Sequence, residues 1–470
     1  VYVLGAINCA LSFPSPTIIL MAKKEQWLCI DCGEVFAKWS GKCPSCNAWN
    51  TMKEFHEPRI VSGKTDLSKG KDLSKLQISN TQTSNKERIS SGIEEVDRVL
   101  GGGFFPGTLA LFGGAPGIGK STLALQIFLN INNAQYFSGE ESVEQVKHRA
   151  ERVQQKSSPG LGNIFSTNSL EDICQTVAKN NPSLAIIDSI QMVGTENSSF
   201  GQLSQIKENA EILLKLAKST GTTILVIGHV TKDDELAGPK VLEHIVDVVL
   251  RLNGEGNSEV RVLSSPKNRF GSTLEVGVFE MRGSGLAELA NPSEFFLSER
   301  AENASGSAIA VVREGSRNFL LEIQALTVRT TFGQPRRTAH GISLSKFHLL
   351  LAVVSKFTPF KCGEYDAYIS VVGGMKISEP AADLAICAAI LSSRAEKEIP
   401  ADIVILGEVG LSGEVRSVSN LEARLTEAAK LGFKKAVIPC TRGKIKVPKG
   451  ITVTEVKSVL ELVKVVFENK

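Results

Sequence analysis

The chain has little that would commit it to a membrane, a disulfide scaffold or a broadly basic surface. After the first twenty residues no run approaches the roughly 18 apolar residues of a membrane span, so the sequence predicts a soluble, cytoplasmic protein. Neither sign of charge dominates: 53 Lys and Arg stand against 50 Asp and Glu, a net of +3, so any nucleic-acid surface must be local. Aromatic residues are only 6% of the chain, and all three tryptophans, Trp27, Trp39 and Trp49, fall in one short stretch. Of nine cysteines, Cys9, Cys174, Cys362, Cys387 and Cys440 are scattered without paired spacing, which excludes a disulfide framework. Apolar residues are in good supply: 470 residues at 42% hydrophobic content can fill more than one core, since single cores seldom grow beyond about 250 to 300 residues.

The opening "VYVLGAINCALSFPSPTIIL" is apolar but has no basic leading region, contains two prolines and runs into Met21 and "AKKEQ". It reads as an upstream extension, residues 1–21, outside the fold rather than as a signal peptide. Residues 22–54 form a cysteine module, and 55–85, rich in Ser, Thr, Lys and Asp, read as a flexible linker. From 86 to 288, short β-rich runs alternate with helical patterns and then follow one another closely. That predicts an α/β core of largely parallel strands with a hairpin-like extension. The polar stretch "ANPSEFFLSERAENASGS" marks the next boundary. Residues 300–470 open with two paired strands, "AIAVVRE" and "NFLLEIQALTV", and continue as a second α/β unit.

In "CIDCGEVFAKWSGKCPSC", Cys29, Cys32, Cys43 and Cys46 form C-x2-C, ten residues, C-x2-C. Two knuckles of this kind present four thiolates to one tetrahedral Zn²⁺, a structural rather than catalytic arrangement because no coordination position stays open. So few residues make no core unaided, and metal binding worth about 10 to 16 kcal/mol supplies the folding free energy. The tryptophans either pack on the knuckles or present stacking faces to bases or a partner.

"LALFGGAPGIGKSTLALQI" is a strand, a glycine turn and a helix matching G-x4-G-K-[ST]. Gly114, Ala115, Pro116, Gly117, Ile118, Gly119, Lys120, Ser121 and Thr122 are the nucleotide-binding candidates. The backbone N–H groups converge on phosphate, Lys120 neutralises the β and γ phosphates, and the Ser121 hydroxyl ligates Mg²⁺. Asp188, ending the strand "SLAIID", suits the magnesium water shell. "YFSGEES" ends a strand with two acids: Glu140 is favoured as the base that orients water, while Glu141 has an equally open reading as a helix cap. His229, after "TILVIG", suits a γ-phosphate or DNA sensor.

The stretch "SSGIEEVDRVLGGGFFPGTLALFGGAPGIGKSTLALQ" resembles the start of the RecA-type ATPase core shared by RecA, KaiC and RadA/Sms proteins. Lys267, Asn268, Arg269, Phe270 and Gly271 match the KNRFG motif of the RadA/Sms family. The resemblance runs from Met21 to the C-terminus. It implies a DNA-dependent ATPase of recombinational repair that translocates on single-stranded DNA and drives branch migration. It also implies a homo-hexamer, partners among recombinases and replication or repair proteins, and ATP, Mg²⁺ and structural Zn²⁺ as ligands. Lys267 is implied to act on a neighbour's ATP, and Arg269 there or on DNA. Lys232 and Lys240 lie in a loop where such proteins hold single-stranded DNA.

From about Ser307 the chain resembles the proteolytic domain of Lon, whose serine and lysine dyad would fall at Ala381 in "EPAAD" and Glu422 in "SNLEARL". A methyl group cannot attack a carbonyl and a carboxylate is not the neutral amine such a dyad requires. Lys376 and Ser378 stand nearby as a displaced pair, a reading less favoured than loss. The expected fold is therefore α/β: a RecA-type P-loop core, preceded by a four-cysteine zinc module and followed by an inactive Lon-protease-like domain. Arg317, Arg329, Arg336, Arg337, Lys346, Arg424, Lys434, Lys435 and Lys446 are candidate surface cations, with Arg336 and Arg337 the best pair for DNA. A KaiC-like signalling ATPase without DNA binding and an ATP-dependent protease are the alternatives.

Overall fold

A computed structural model describes residues 26–29, 35–36, 38–45, 49, 51–55, 88–153, 163–194, 203–228, 242–254, 258–298, 300–301, 304–331, 333–441 and 443–467. The chain divides into two units, Val1–Leu76 and Gln77–Lys470. In the first, β1 (Gln26–Cys29) pairs antiparallel with β2 (Val35–Phe36) and β3 (Met52–Phe55). Its core is small: Cys29, Cys43 and Met52 are buried, with Trp27 and Phe36 packed against them.

The second unit carries two sheets. The first comprises β4 (Leu109–Gly114), β5 (Ala134–Ser138), β6 (Ile164–Ser166), β7 (Leu184–Asp188), β8 (Thr223–Ile227), β9 (Val248–Asn253), β10 (Val260–Asn268), β11 (Val276–Arg282) and β12 (Gly285–Glu288). Their order is β12-β11-β10-β9-β4-β8-β7-β5-β6. The pairs from β9 to β6 are parallel and those from β9 to β12 antiparallel. The hairpin-like extension expected from the sequence is thus β10 to β12. Strands β4, β5 and β8 are buried at every residue, as parallel strands with both faces covered are. Helices on the two faces complete two cores, one including Lys120–Asn130 and the other Leu203–Thr220.

The second sheet contains β13 (Ser307–Glu314), β14 (Arg317–Arg329), β15 (Arg337–His340), β16 (Tyr365–Val371), β17 (Ile403–Ile405), β20 (Lys435–Pro439) and β21 (Thr452–Val456). A two-stranded ribbon, β18 (Glu408–Val409) and β19 (Val415–Arg416), stands apart from it. The order β15-β16-β14-β13-β17-β20-β21 holds the predicted β13–β14 hairpin in its middle. The helix Asp383–Ala395, buried from Asp383 to Ser393, packs on β13 and β14. A helix this apolar on all sides belongs inside a core. Its cluster takes in Val260, Val276 and Val278 of the first sheet, so one apolar core joins the two sheets. No described helix is long and apolar enough to cross a membrane.

Candidate nucleotide site

The glycine loop follows β4 at the carboxyl end of the parallel strands. Gly114, Gly117 and Gly119 all have positive φ. A Cβ on Gly114 would fall 2.6 Å from the Leu252 carbonyl oxygen, and one on Gly119 would fall 2.6 Å from Met281 Cε. At Gly114 both backbone conformation and space demand glycine, and at Gly119 the backbone conformation does. A Cβ on Gly117 would meet nothing within 4 Å, so the loop borders open space there.

The helix Lys120–Asn130 starts at Gly119 with no side-chain cap and no acidic residue in its first turn. Some helices here are capped by a side chain, Ser169 accepting from Asp172 N–H at 3.1 Å and Ser343 from Lys346 N–H at 3.3 Å, whereas Glu94–Leu100, Asp383–Ala395 and Leu421–Lys430 also start without one. An uncapped N-terminus leaves backbone N–H groups for an anion. Lys120 is only 3% exposed, and its Nζ donates to the carbonyls of Gly114 at 2.9 Å and Ala115 at 3.0 Å. Burial draws its ammonium below the usual lysine range, against the opposing pull of Asp188 and Glu140.

The two acids arrive on neighbouring strands. Asp188 ends β7 opposite Ser138 of β5, and accepts from Tyr136 O–H at 2.6 Å. Burial, then the adjacent Asp188 charge, raises the Tyr136 phenol well above its ordinary value, so it remains a neutral donor that fixes the carboxylate. Glu140 is exposed and accepts from Ser189 Oγ at 2.8 Å. Glu141 is instead paired with Arg149. The capping alternative for Glu141 fails, because Ser142 and Gln145 form a capping box for the helix Val143–Val153: Gln145 N–H donates to Ser142 Oγ at 3.3 Å and Ser142 N–H to Gln145 Oε1 at 2.9 Å.

The KNRFG turn lies elsewhere. Asn268 pairs with Val248, and Val248 pairs with Ala110 at the start of β4, whereas Leu252 pairs with Gly114 at its end. Four residues of strand, about 13 Å at 3.3 Å each, therefore separate the motif from the glycine loop along the sheet. Lys267 Nζ donates to the carbonyls of Glu243 at 2.6 Å and His244 at 3.2 Å. Burial, then Arg269, lowers its pKa, while Asp247 and Glu243 oppose the shift. Arg269 and Lys218 pair with the buried Asp247 at 3.3 and 2.7 Å. Phe270 stacks on Phe105 at 4.7 Å between ring centroids. His229, Lys232 and Lys240 lie outside the described residues.

In the small unit Cys29 and Cys43 are buried in one cluster, two thiols that fit half of a tetrahedral metal site; Cys32 and Cys46 lie outside the described residues. The tryptophans divide between the two readings. Trp27 packs on the cluster, whereas Trp39 and Trp49 are 58% and 70% exposed.

At the Lon-like position, Pro380–Ala382 is a short 3-10 turn leading into the helix, and Ala381 and Ala382 are buried. Glu422 is exposed and accepts from Lys446 N–H at 2.8 Å. Arg424 corrects an expectation. It is a fully buried residue, not a surface cation, and its guanidinium pairs with Glu379 and donates to the Val311 carbonyl at 2.8 Å. Glu379 also accepts from Arg313 N–H at 2.6 Å. Arg317 and Lys346 are likewise engaged, with Glu95 at 2.7 Å and Asp383 at 2.6 Å. Arg336 is exposed, but neighbouring Arg337 is only half-buried and held by the carbonyls of Tyr365 and Cys362, so the two do not form a free basic pair.

Two residues that reading the sequence missed are Tyr136, the donor to Asp188, and Arg261. Arg261 alternates with Leu263 and Ser265 on the buried side of β10. That period of two, with an arginine on an apolar face, was the available signal.

An uncapped helix start, a buried lysine and strand-end acids on a mostly parallel sheet define a RecA-type P-loop ATPase core, here joined to a Lon-protease-like α/β region. Residues 27–54 match the rubredoxin metal binding domain, 369–442 match subunit ChlI of Mg-chelatase, and 88–278 match a family of unknown function. DNA repair protein RadA of Bacillus subtilis is 46% identical over 94% of this chain and 98% of its own. The protein of the same name from Escherichia coli is 40% identical over the same shares. A crystal structure of the RadB recombinase, 25% identical, covers 43% of this chain and 99% of its own with a TM-score of 0.35. The chain belongs to the RadA family of DNA repair proteins.

Proposed function

We propose that this protein is a cytoplasmic, DNA-dependent ATPase of recombinational repair that translocates on single-stranded DNA and drives branch migration as a hexameric ring. The observation that carries the reading is the uncapped helix start with buried Lys120 near Asp188 and Glu140, in a chain that resembles DNA repair proteins over 94% of its length. Lys120 would exchange the carbonyls of Gly114 and Ala115 for β and γ phosphate oxygens. Ser121 and Asp188 would hold a Mg²⁺ ion, which would neutralise charge on the phosphates. Glu140, with Glu141 committed to Arg149, orients the attacking water.

Lys267 stands too far along the sheet to serve its own glycine loop, which favours action on a neighbour's nucleotide across the ring. Arg269 joins it there or contacts DNA, with Lys232, Lys240 and the exposed Arg336 as further DNA contacts. Four cysteines, Cys29, Cys32, Cys43 and Cys46, hold Zn²⁺. We take 22–54, 86–288 and 300–470 as the domains, with recombinase and replication or repair proteins as partners. The Lon-like domain is a scaffold without peptidase activity, because its dyad positions are Ala381 and Glu422.

ATP hydrolysis measured with and without single-stranded DNA, beside casein degradation, tests the reading. Stimulation by DNA that Lys120→Ala abolishes, with casein intact, is the expected result. Hydrolysis indifferent to DNA would overturn the DNA-motor claim, and casein loss by rigorously purified protein would restore the protease alternative.

A further inference from the structure

The β9–β10 hairpin passes beside the glycine loop and also touches the Lon-like region. Arg261, on β10, is only 6% exposed. Its Nε donates to the Ile118 carbonyl of the glycine loop at 3.2 Å, and its Nη1 donates to the carbonyls of Val260 at 2.9 Å and of Ser258. Ser258 Oγ accepts from Val260 N–H at 3.1 Å and donates to the Gly373 carbonyl at 2.9 Å. The receiving turn is built for this approach. Gly373 and Gly374 have φ of 83° and 69°. A Cβ on Gly373 would enter the Phe296 ring, and one on Gly374 would lie 2.5 Å from Ser258 Cβ. Beside this junction is a cavity of about 340 Å³ whose lining includes Asn253, Gly254, Glu314 and Lys376.

We propose that Arg261 is a positioning residue for the nucleotide, and that the Gly373–Gly374 turn of the Lon-like region acts on the phosphate loop through Ser258 and Arg261. The proposal rests on the reading of residues 114–121 as the nucleotide site. In a planar trans peptide the C=O and the following N–H point to opposite sides. Holding the Ile118 carbonyl on the guanidinium therefore turns the Gly119 N–H away from it and fixes one donor of the loop before any ligand arrives. Preorganised donors bind better because their ordering cost is already met. Arginine suits the task because it stays charged even where burial lowers its pKa. The same contacts give the double-glycine turn a structural role in a region whose dyad positions are Ala381 and Glu422.

Binding of ATP to the full-length chain by calorimetry, with steady-state hydrolysis, tests the link. Arg261→Ala is expected to raise Kd and KM for ATP by about tenfold, the scale of a lost hydrogen bond from a charged donor, with a smaller change in kcat. Arg261→Lys should recover part of the loss. Ser258→Ala, which removes only the bond to Gly373 and its local return contact, should raise Kd by about threefold. It should add nothing in the Arg261→Ala background, since both lie on one route. Additive effects, or unchanged ATP affinity in folded Ser258→Ala and Arg261→Lys, would overturn the link while leaving the nucleotide site intact. A wild-type chain that binds no ATP would overturn both. Should Arg261→Ala fail to fold, Ser258→Ala and Arg261→Lys decide the matter.

Discussion

Two double-glycine turns lead into helices in this molecule, "GGAPGIGK" at 113–120 and "GGMKISEPAAD" at 373–383. Neither helix start has a side-chain cap, but at the first Gly117 borders open space and Lys120 is held by loop carbonyls. At the second, every charged group near the helix start has a partner within the fold: Glu379 with Arg424 and Arg313 N–H, Asp383 with Lys346. Between these carboxylates sit two buried alanines. One region leaves its electrostatics open toward a ligand; the other closes them on itself. A fold's helix start is thus a reactive or a structural device according to whether its charges are answered internally.

The strongest way to break the comparison is at the open site. Lys120→Ala should reduce ATP hydrolysis by about a thousandfold or more, the scale on which removed cations act in phosphoryl transfer, with the unfolding midpoint nearly unchanged; phosphate release and thermal melting read the two. At the closed site the balance should invert. Arg424→Ala would leave Glu379 facing the interior without its cation and cost about 3 kcal/mol or more of stability, measured by denaturant unfolding, whereas Arg424→Met with Glu379→Leu should recover most of it.

A finer contrast is in titration. Lys120 has a pKa lowered first by burial, so as pH rises through that value, below the usual lysine range of about 10.4, the neutral amine forms and ATP affinity falls. Phosphate oxygens favour the ammonium, so binding in that window should take up a proton, seen as a buffer-dependent heat in calorimetry. The smallest expected effect is none at all: Ala381→Ser with Glu422→Lys should still degrade no casein. Glu422 is exposed beside Lys446, and the carboxylates around Ala381 are already engaged.

Much of the open site was legible because its parts are contiguous. The strand, glycine turn and helix of the phosphate loop fall within one run, and β5, β7 and β8 follow runs read from the sequence. The four-cysteine spacing is equally local, and of its members Cys29 and Cys43 lie among the described residues. The closed site was not legible, because its defining pairs are distant in sequence and only topology brings them together. Arg424 on a helix read as one more solvated cation until β13 and the turn at Glu379 enclosed it. Arg261 was hidden for the same reason, 143 residues from the carbonyl it holds. Even Glu140 and Glu141, adjacent in sequence, separated only once Arg149 was seen to claim one of them.

In the proposed ring, Lys267 of one subunit completes the nucleotide site of the next. Mixing subunits carrying Lys120→Ala with subunits carrying Lys267→Ala, each inactive alone, tests it directly by DNA-stimulated phosphate release. In a ring assembled at random, an intact glycine loop meets an intact Lys267 at a share of interfaces, so the mixture should regain roughly a quarter of wild-type hydrolysis. A mixture no more active than either variant alone would contradict the claim.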